Sequence, residues 1–510
     1  MSVHWPMIRR CLAHAMEPAF VDDFKLWKRI EVLVAALHIA DEIERRSSGD
    51  KVGLMLPTSG LFGAATLATW ILGKKVVPLN YLLGHDELAG VIAHSGIDYV
   101  LSAGKLLDHT GHRETLGDSG VKIGLAEELS FKGMPDIRMP AFTKDDDVAV
   151  YLYTSGTSGK PKGVMLTHGN LKANVRQCVQ HARWTKRSKM LGVLPQFHTF
   201  GLTVLTVLPM TLGAPVIYSA RFVPTQIVRL IREHRPVAFI GIPSMYNALL
   251  RVKSAGPGDF RSLEFAISGG EPLPHEVSEK FHERFDVRIS EGYGLTETSP
   301  VTNLCVPWEY CEGSVGTALP DVEVKIAGTK GAEEGRRLPT GRDGEIRLRG
   351  PNVMKGYYKN EEATREAFDE EGFFRTGDIG RVDAEGRLFI TGRLKEMIIV
   401  AGENVFPREI EEALAKHDSV KAAGVCGMTD GSRGELPIAF VEIEDGAEFD
   451  EAALKAWCRE RLAGYKTPRQ IERIDELPRS GTGKVMRRKL SELVQARERG
   501  DAESKAEAAT

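Results

Sequence analysis

Apolar runs and amphipathic stretches alternate along most of the first 300 residues. Between residues 148 and 294, continuously apolar runs predict strands at 148–153, 190–194, 215–218, 237–242, 263–267 and 287–290. Helical spacing predicts helices at 171–183, 226–234 and 245–252, each preceded by a residue type that caps helix N-termini: Asn170, Thr225 and Ser244. Strands that are apolar throughout and alternate with helices indicate α/β architecture, with mostly parallel, doubly wound sheets covered on both faces. Residues 51–100 have the same texture, and no repeat of solenoid period is visible.

After Asp321 the pattern shortens. Strands and hairpins are predicted at 322–326, 344–349 and 380–390, with a turn at 383–386. From residue 395 a small mixed unit follows: strand 397–400, helix 407–417, strands 420–426 and 437–442, helix 451–462. The expected organisation is a large N-terminal domain over 1–392 with a small β-rich subdomain. A small, mobile α+β C-terminal domain covers 393–497, and the tail 498–510 is too polar to pack.

One stretch complicates the pattern, because residues 190–220 contain no Asp, Glu, Lys or Arg. Such a run is long enough to suggest a membrane span. Pro195, Pro209 and Pro215 interrupt it, together with Gln196 and His198. Unsatisfied backbone is too costly in lipid for a broken helix, so the expectation is buried core lining an apolar pocket. No transmembrane segment is expected, and peripheral membrane contact is left open.

The chain of 510 residues is 42% hydrophobic and 27% charged, with a net charge of −3, which gives no electrostatic reason to expect nucleic acid. Its six cysteines lack metal-binding spacing and read as reduced thiols, and the N-terminus lacks the apolar core of a signal peptide. A cytoplasmic location is the expectation.

Candidate chemistry begins at YLYTSGTSGKPKG, residues 151–163. An apolar strand leads into hydroxyls, glycines and two lysines, with no acid among them. Such a loop can turn backbone N–H groups, hydroxyls and ammonium charge toward one anion, above all a phosphate. It is not a Walker A loop, because Gly159 and Lys160 are followed by Pro161.

This loop resembles the signature of the adenylate-forming superfamily, which includes acyl-CoA synthetases, adenylation domains and luciferases. LPQFHTFG, SGGEPL, EGYGLTET, FFRTGDIG, GRLKEMIIVAGENVFPREIE and PRSGTGKVMRRKL follow in the order of that superfamily, so the resemblance covers about residues 19–490. It implies a reaction in which a carboxylate attacks the α-phosphate of ATP, pyrophosphate leaves, and a thiol then takes the acyl group from AMP. Bringing two anions together requires neutralisation of charge and positioning.

Residue by residue, the resemblance implies that Thr154, Ser155, Gly156, Thr157, Ser158, Gly159, Lys160 and Lys162 hold the β- and γ-phosphates. Thr296 would contact the α-phosphate and Glu297 would ligate Mg²⁺, a hard cation suited to oxygen ligands. Tyr293 would stack on adenine within Glu291, Gly292, Tyr293 and Gly294, opposite Gly269, Gly270, Glu271 and Pro272. Asp378 would accept the ribose hydroxyls with help from Arg393. Lys484 matches the mobile catalytic lysine, although its neighbours Arg479, Arg487, Arg488 and Lys489 also read as a solvated basic patch. Lys395 matches the hinge about which the C-terminal domain would swing, and Gly402, Glu403 and Asn404 would border the channel for the thiol arm.

His198 stands where amino-acid-activating members carry an Asp, which argues against an ammonium-bearing substrate. By resemblance His198 lies at the carboxylate end of the acyl pocket. The expected activity is therefore a medium- to long-chain fatty acid–CoA ligase using ATP, Mg²⁺ and coenzyme A. An acyl carrier protein as acceptor, an aryl acid as substrate, and a nucleotide-binding regulator without turnover are the alternatives.

Overall fold

The computed structural model describes residues 2–155, 161–400, 403–430, 434–479 and 485–496. They fall into two compact units. The first comprises Met1–Val324, Leu348–Arg375 and Gly386–Leu388; the second comprises Lys325–Arg347, Thr376–Glu385 and Phe389–Thr510. The expected C-terminal domain therefore packs together with strand segments that precede residue 393.

Two sheets build the first unit. In the nine-stranded sheet, Pro18–Val21, Val216–Tyr218, Met190–Gly192, Ala238–Gly241, Phe265–Ser268 and Ile289–Gly294 run parallel, with antiparallel strands at both edges. The seven-stranded sheet has a parallel core of Lys51–Met55, Lys75–Pro78, Tyr99–Ser102, Lys122–Leu125 and Val148–Ser155. Strands such as Ala238–Gly241 and Tyr99–Ser102 are buried at every position, the result of helices covering both faces. The mostly parallel, doubly wound α/β reading holds.

Helix starts differ from the sequence reading in a consistent way. The helix His168–His181 is capped by Thr167, whose Oγ1 accepts the Asn170 N–H at 3.1 Å while Asn170 Oδ1 accepts the Thr167 N–H at 2.9 Å. Asn170 is the distant half of a capping box, and the helix begins before it. The other two helices, Pro224–His234 and Pro243–Leu250, start on proline, ahead of the expected caps Thr225 and Ser244. Proline suits the first helical turn, because its missing N–H has no intrahelical partner there anyway.

The acid-free stretch is buried core. It forms the strand Met190–Gly192, a helical run through Thr199–Leu202, Thr203–Val207 and Leu208–Leu212, and the strand Val216–Tyr218. Among the described residues no helix is long and apolar enough to cross a membrane.

A four-stranded sheet orders Glu323–Ala327, Gly344–Arg349, Phe374–Val382 and Leu388–Arg393, and most of its residues (325–327, 344–347, 376–382 and 389–393) belong to the second unit. A five-stranded sheet follows, with the helices Pro407–Ala415 and Glu451–Arg461. Val405, Ile410, Leu414, Val425, Val441 and Leu454 are among its core residues.

Candidate active site

Open α/β sheets bind ligands beyond the C-terminal ends of their parallel strands. Here Ala238–Gly241, Phe265–Ser268 and Ile289–Gly294 end side by side, with Gly241 opposite Ser268 and Ser268 opposite Glu291. Gly269 continues from this edge, donating its N–H to the Gly241 carbonyl at 3.3 Å. Gly270 adopts φ +82°, a conformation that favours glycine. Glu291 Oε2 accepts the Leu273 N–H at 3.4 Å, which ties the end of the SGGEPL segment to the neighbouring strand.

The strand carrying Tyr293 ends at Gly294, where a Cβ would lie 1.9 Å from the Pro300 carbonyl oxygen. Only glycine allows that approach. The chain then forms the short turn Thr296–Thr298, which carries Thr296 and Glu297. The fold thus gathers Gly269, Gly270, Glu271, Pro272, Glu291, Gly292, Tyr293, Gly294, Thr296 and Glu297 along one sheet edge.

The phosphate-loop candidate is a hairpin. Val148–Ser155 pairs antiparallel with Pro161–Thr167, placing Thr154 opposite Lys162. The returning strand is a feature the sequence pattern misses, and it distinguishes this loop from one that opens a helix. Gly156, Thr157, Ser158, Gly159, Lys160 and the Ser155 side chain lie outside the described residues.

Sequence reasoning also misses Tyr357. It lies on the short strand Gly356–Tyr357, opposite Val164 of the hairpin. Its hydroxyl donates to Glu297 Oε1 at 2.9 Å, and the Lys162 ammonium lies 5.2 Å from its ring centroid. Burial foremost, then the Glu297 charge, pushes the phenol up, so it remains a donor. The Met354 N–H also donates to the Glu297 carbonyl at 2.7 Å. Two tyrosines in GYYKN carry no periodic signal of this role.

At the same edge lie the acyl-pocket candidates. His198 precedes the helix Thr199–Leu202 and keeps an exposed surface, although protein atoms surround it as on a cleft wall. Desolvation lowers its pKa, so the imidazole is neutral near pH 7. Phe200 packs over the nucleotide-motif backbone: a Cβ on Gly269 would lie 3.0 Å from its ring. Met245 Sδ lies 3.5 Å from the corresponding position on Gly241.

In the second unit, Asp378 and Arg393 sit on the adjacent strands Phe374–Val382 and Leu388–Arg393. Arg393 Nε meets Asp378 Oδ1 at 3.0 Å, and Thr376 Oγ1 accepts the Asp378 N–H at 3.0 Å. Asp378 is 4% exposed. Arg393 thus holds its carboxylate while Thr376 holds its backbone N–H, unlike a solvated turn aspartate. Lys395 lies in the turn Leu394–Glu396, and Glu403 begins the strand Glu403–Val405. Gly402, the Asn404 side chain and Lys484 lie outside the described residues.

The basic patch around Lys484 is not uniformly solvated. Arg487 is bracketed by Glu396 and Glu411, with Nη2 to Glu411 Oε2 at 2.6 Å, and Arg479 reaches Glu442 at 3.2 Å. These guanidiniums brace the C-terminal unit, whereas Arg488 is exposed beside Glu492.

Comparison with known proteins shows the family. The family model described as AMP-binding enzyme matches residues 14–358, and that of the AMP-binding enzyme C-terminal domain matches 409–484. The long-chain-fatty-acid–CoA ligase of Bacillus subtilis (strain 168) is 39% identical over 70% of this chain, and the match spans 63% of that ligase. A feruloyl-CoA synthase of Amycolatopsis sp. is 34% identical over 86% of this chain and 88% of its own. The crystal structure of ATP-bound MatB from Rhodopseudomonas palustris superposes with TM-score 0.88 at 28% identity, covering 97% of this chain and 99% of that one. AMP-forming acyl- or aryl-CoA ligase chemistry, with ATP as co-substrate, is the activity class these relatives support. The chain belongs to the AMP-binding enzyme family, within the adenylate-forming superfamily.

Proposed function

We propose that the chain is an AMP-forming fatty acid–CoA ligase acting on medium- to long-chain acids. The observation that carries the substrate reading is the position of Phe200. The acid-free apolar segment holding it and neutral His198 packs directly on Gly269 of the nucleotide motif, with Met245 beside Gly241. An uncharged apolar tail fits such surroundings, because a charged one would need a buried partner.

In the first step a carboxylate oxygen bonds to the α-phosphorus of ATP, and the bond to the bridging oxygen breaks with release of pyrophosphate. Thr154, Lys162 and the loop between them hold the outer phosphates, Thr296 holds the α-phosphate, and Tyr293 stacks on adenine. Asp378, steadied by Arg393, accepts the ribose hydroxyls, and Lys484 offsets the charge that develops as the two anions meet. In the second step the CoA sulfur bonds to the acyl carbon, the thiol proton is lost to solvent, and AMP leaves.

Glu297 fits Mg²⁺, since its carboxylate is oriented by Tyr357 and carboxylate oxygen suits a hard cation. Among the described residues no cluster of three or more His, Cys, Asp or Glu forms a protein-only metal cage. Phosphate oxygens and water would complete the shell, as is usual for Mg²⁺ with nucleotides. Its chemistry there is neutralisation of phosphate charge.

An aryl acid is the second reading, favoured by the feruloyl-CoA synthase relative. Acid-dependent pyrophosphate release across saturated acids of increasing length, beside ferulate, separates the two. Greatest kcat/KM for a saturated acid of eight or more carbons supports the proposal, and preference for ferulate refutes it.

A further inference from the structure

The first unit contains a large cavity that none of the residues assigned above to nucleotide or acid lines. Its volume is about 1280 Å³, larger than the range of roughly 300–1,000 Å³ usual for small-molecule pockets. Ile30, Val34, Leu56, Leu61, Leu83 and Leu106 form much of its wall. Phe24, Leu82 and Phe131 line it too while standing 79%, 55% and 42% exposed. Apolar surface kept facing a half-open cavity is costly unless something apolar covers it.

Its wall carries three carboxylates, Asp22, Glu31 and Glu127, and three cations, Lys25, Lys105 and Arg221, but the two sets differ in how they are held. Asp22 is saturated: Oδ2 accepts Trp27 Nε1–H at 2.8 Å and the Gly60 N–H at 3.0 Å, while Oδ1 accepts the Phe24 and Lys25 N–H groups. Both Glu127 oxygens accept the Gly104 N–H, at 3.0 and 3.1 Å. Glu31 accepts the Lys28 N–H and faces Lys25 at 3.6 Å. Lys105 and Arg221, both exposed wall residues, have no carboxylate partner among the described residues. On this largely apolar wall the carboxylates are held by the protein, whereas these two cations remain available to an anion.

We propose that this cavity is a second binding site, for a long-chain carboxylate whose tail lies on the apolar wall and whose anionic head meets the rim cations Lys105 and Arg221. The inference stands on the cavity alone and does not rest on the fatty-acid reading of the active site. The cavity also backs onto the segment that carries His198. The Tyr81 ring on its wall meets Phe197 edge-on at 4.7 Å, and the N–H of Ser59, another wall residue, donates to Gln196 Oε1 at 2.8 Å.

Trp27 lies on the wall and reports occupancy. Titration of the full chain with dibromostearate should quench tryptophan fluorescence saturably, and Trp27→Phe should lose that saturable component. The double variant Lys105→Glu/Arg221→Glu, which alters only exposed groups, should weaken the apparent affinity about tenfold, and dibromostearyl-CoA tests whether the thioester serves as well as the free acid. Equal quenching in Trp27→Phe and the parent, or an affinity unmoved by the double charge reversal, would overturn the assignment. Because the readout is quenching and not pyrophosphate release, failure here is distinct from failure of the proposed activity.

Discussion

The Tyr357 hydroxyl donates to Glu297 Oε1 at 2.9 Å, and the two residues come from segments sixty positions apart. The bond links the strand that pairs with the 148–167 hairpin to the carboxylate proposed to ligate Mg²⁺. A hydrogen bond to a charged group contributes about 1.5–3 kcal/mol. Tyr357→Phe should lower kcat/KM for ATP by at least about tenfold at limiting Mg²⁺ and by less at saturating Mg²⁺. Pyrophosphate release measured against Mg²⁺ concentration checks this; a loss independent of Mg²⁺ would point to packing alone.

Phe200 and Met245 should control which acids are accepted. Phe200→Ala removes the ring lying over Gly269, and Met245→Ala shortens the side chain over Gly241. Each buried methylene is worth about 0.8 kcal/mol, or roughly fourfold in affinity. The preferred chain length should shift in at least one variant while KM for ATP stays within about twofold. Unchanged length profiles in both would put the acyl tail elsewhere.

Acid should destabilise the first unit through a buried histidine pair. His4 and His168 are 0% and 2% exposed, with ring centroids 5.7 Å apart, and desolvation lowers both pKa values from 6.5 to about 4. Both stay neutral in the folded chain until about pH 4, whereas the unfolded chain takes up their protons from about pH 6.5 downward. Stability from this source is therefore complete above that range and falls as pH drops through it, by about 2 kcal/mol per histidine at pH 5. Thermal unfolding of the parent and of His168→Leu at pH 7.5 and 5.0 checks the sign, since the variant should lose less on acidification.

Much of this framework is legible in the sequence, for identifiable reasons. Strands such as 237–242 and 263–267 announce themselves because burial on both faces demands unbroken apolar runs, and they appear as Ala238–Gly241 and Phe265–Ser268. Helix starts are less legible: Asn170 looks like a cap in isolation, but it acts three residues into the helix, through Thr167. The Tyr357–Glu297 bond depends on strand pairing between distant segments, which no local pattern encodes. Arg487 shows the same limit, since its neighbours in sequence suggest solvent while its neighbours in space are carboxylates.

Lys484 should matter to one half-reaction only. In the proposed mechanism the charge it would offset arises when the carboxylate meets the α-phosphate and is absent when the thiol attacks the adenylate. Lys484→Ala should cut adenylate formation by roughly 10²–10³-fold, the scale for one lost electrostatic stabiliser. Supplied with synthetic acyl-adenylate and CoA, the same variant should form acyl-CoA at nearly the parental rate. Equal damage to both steps would make Lys484 a general binding residue.

The central claim is tested most directly by a single turnover with palmitate and ATP-Mg²⁺, first without and then with CoA. One equivalent of pyrophosphate per enzyme should appear before CoA is added, with AMP retained as palmitoyl-adenylate. Addition of CoA should convert that equivalent to palmitoyl-CoA and release AMP. Palmitate-independent pyrophosphate, or an adenylate that CoA leaves untouched, would contradict the assignment of this chain as a fatty acid–CoA ligase.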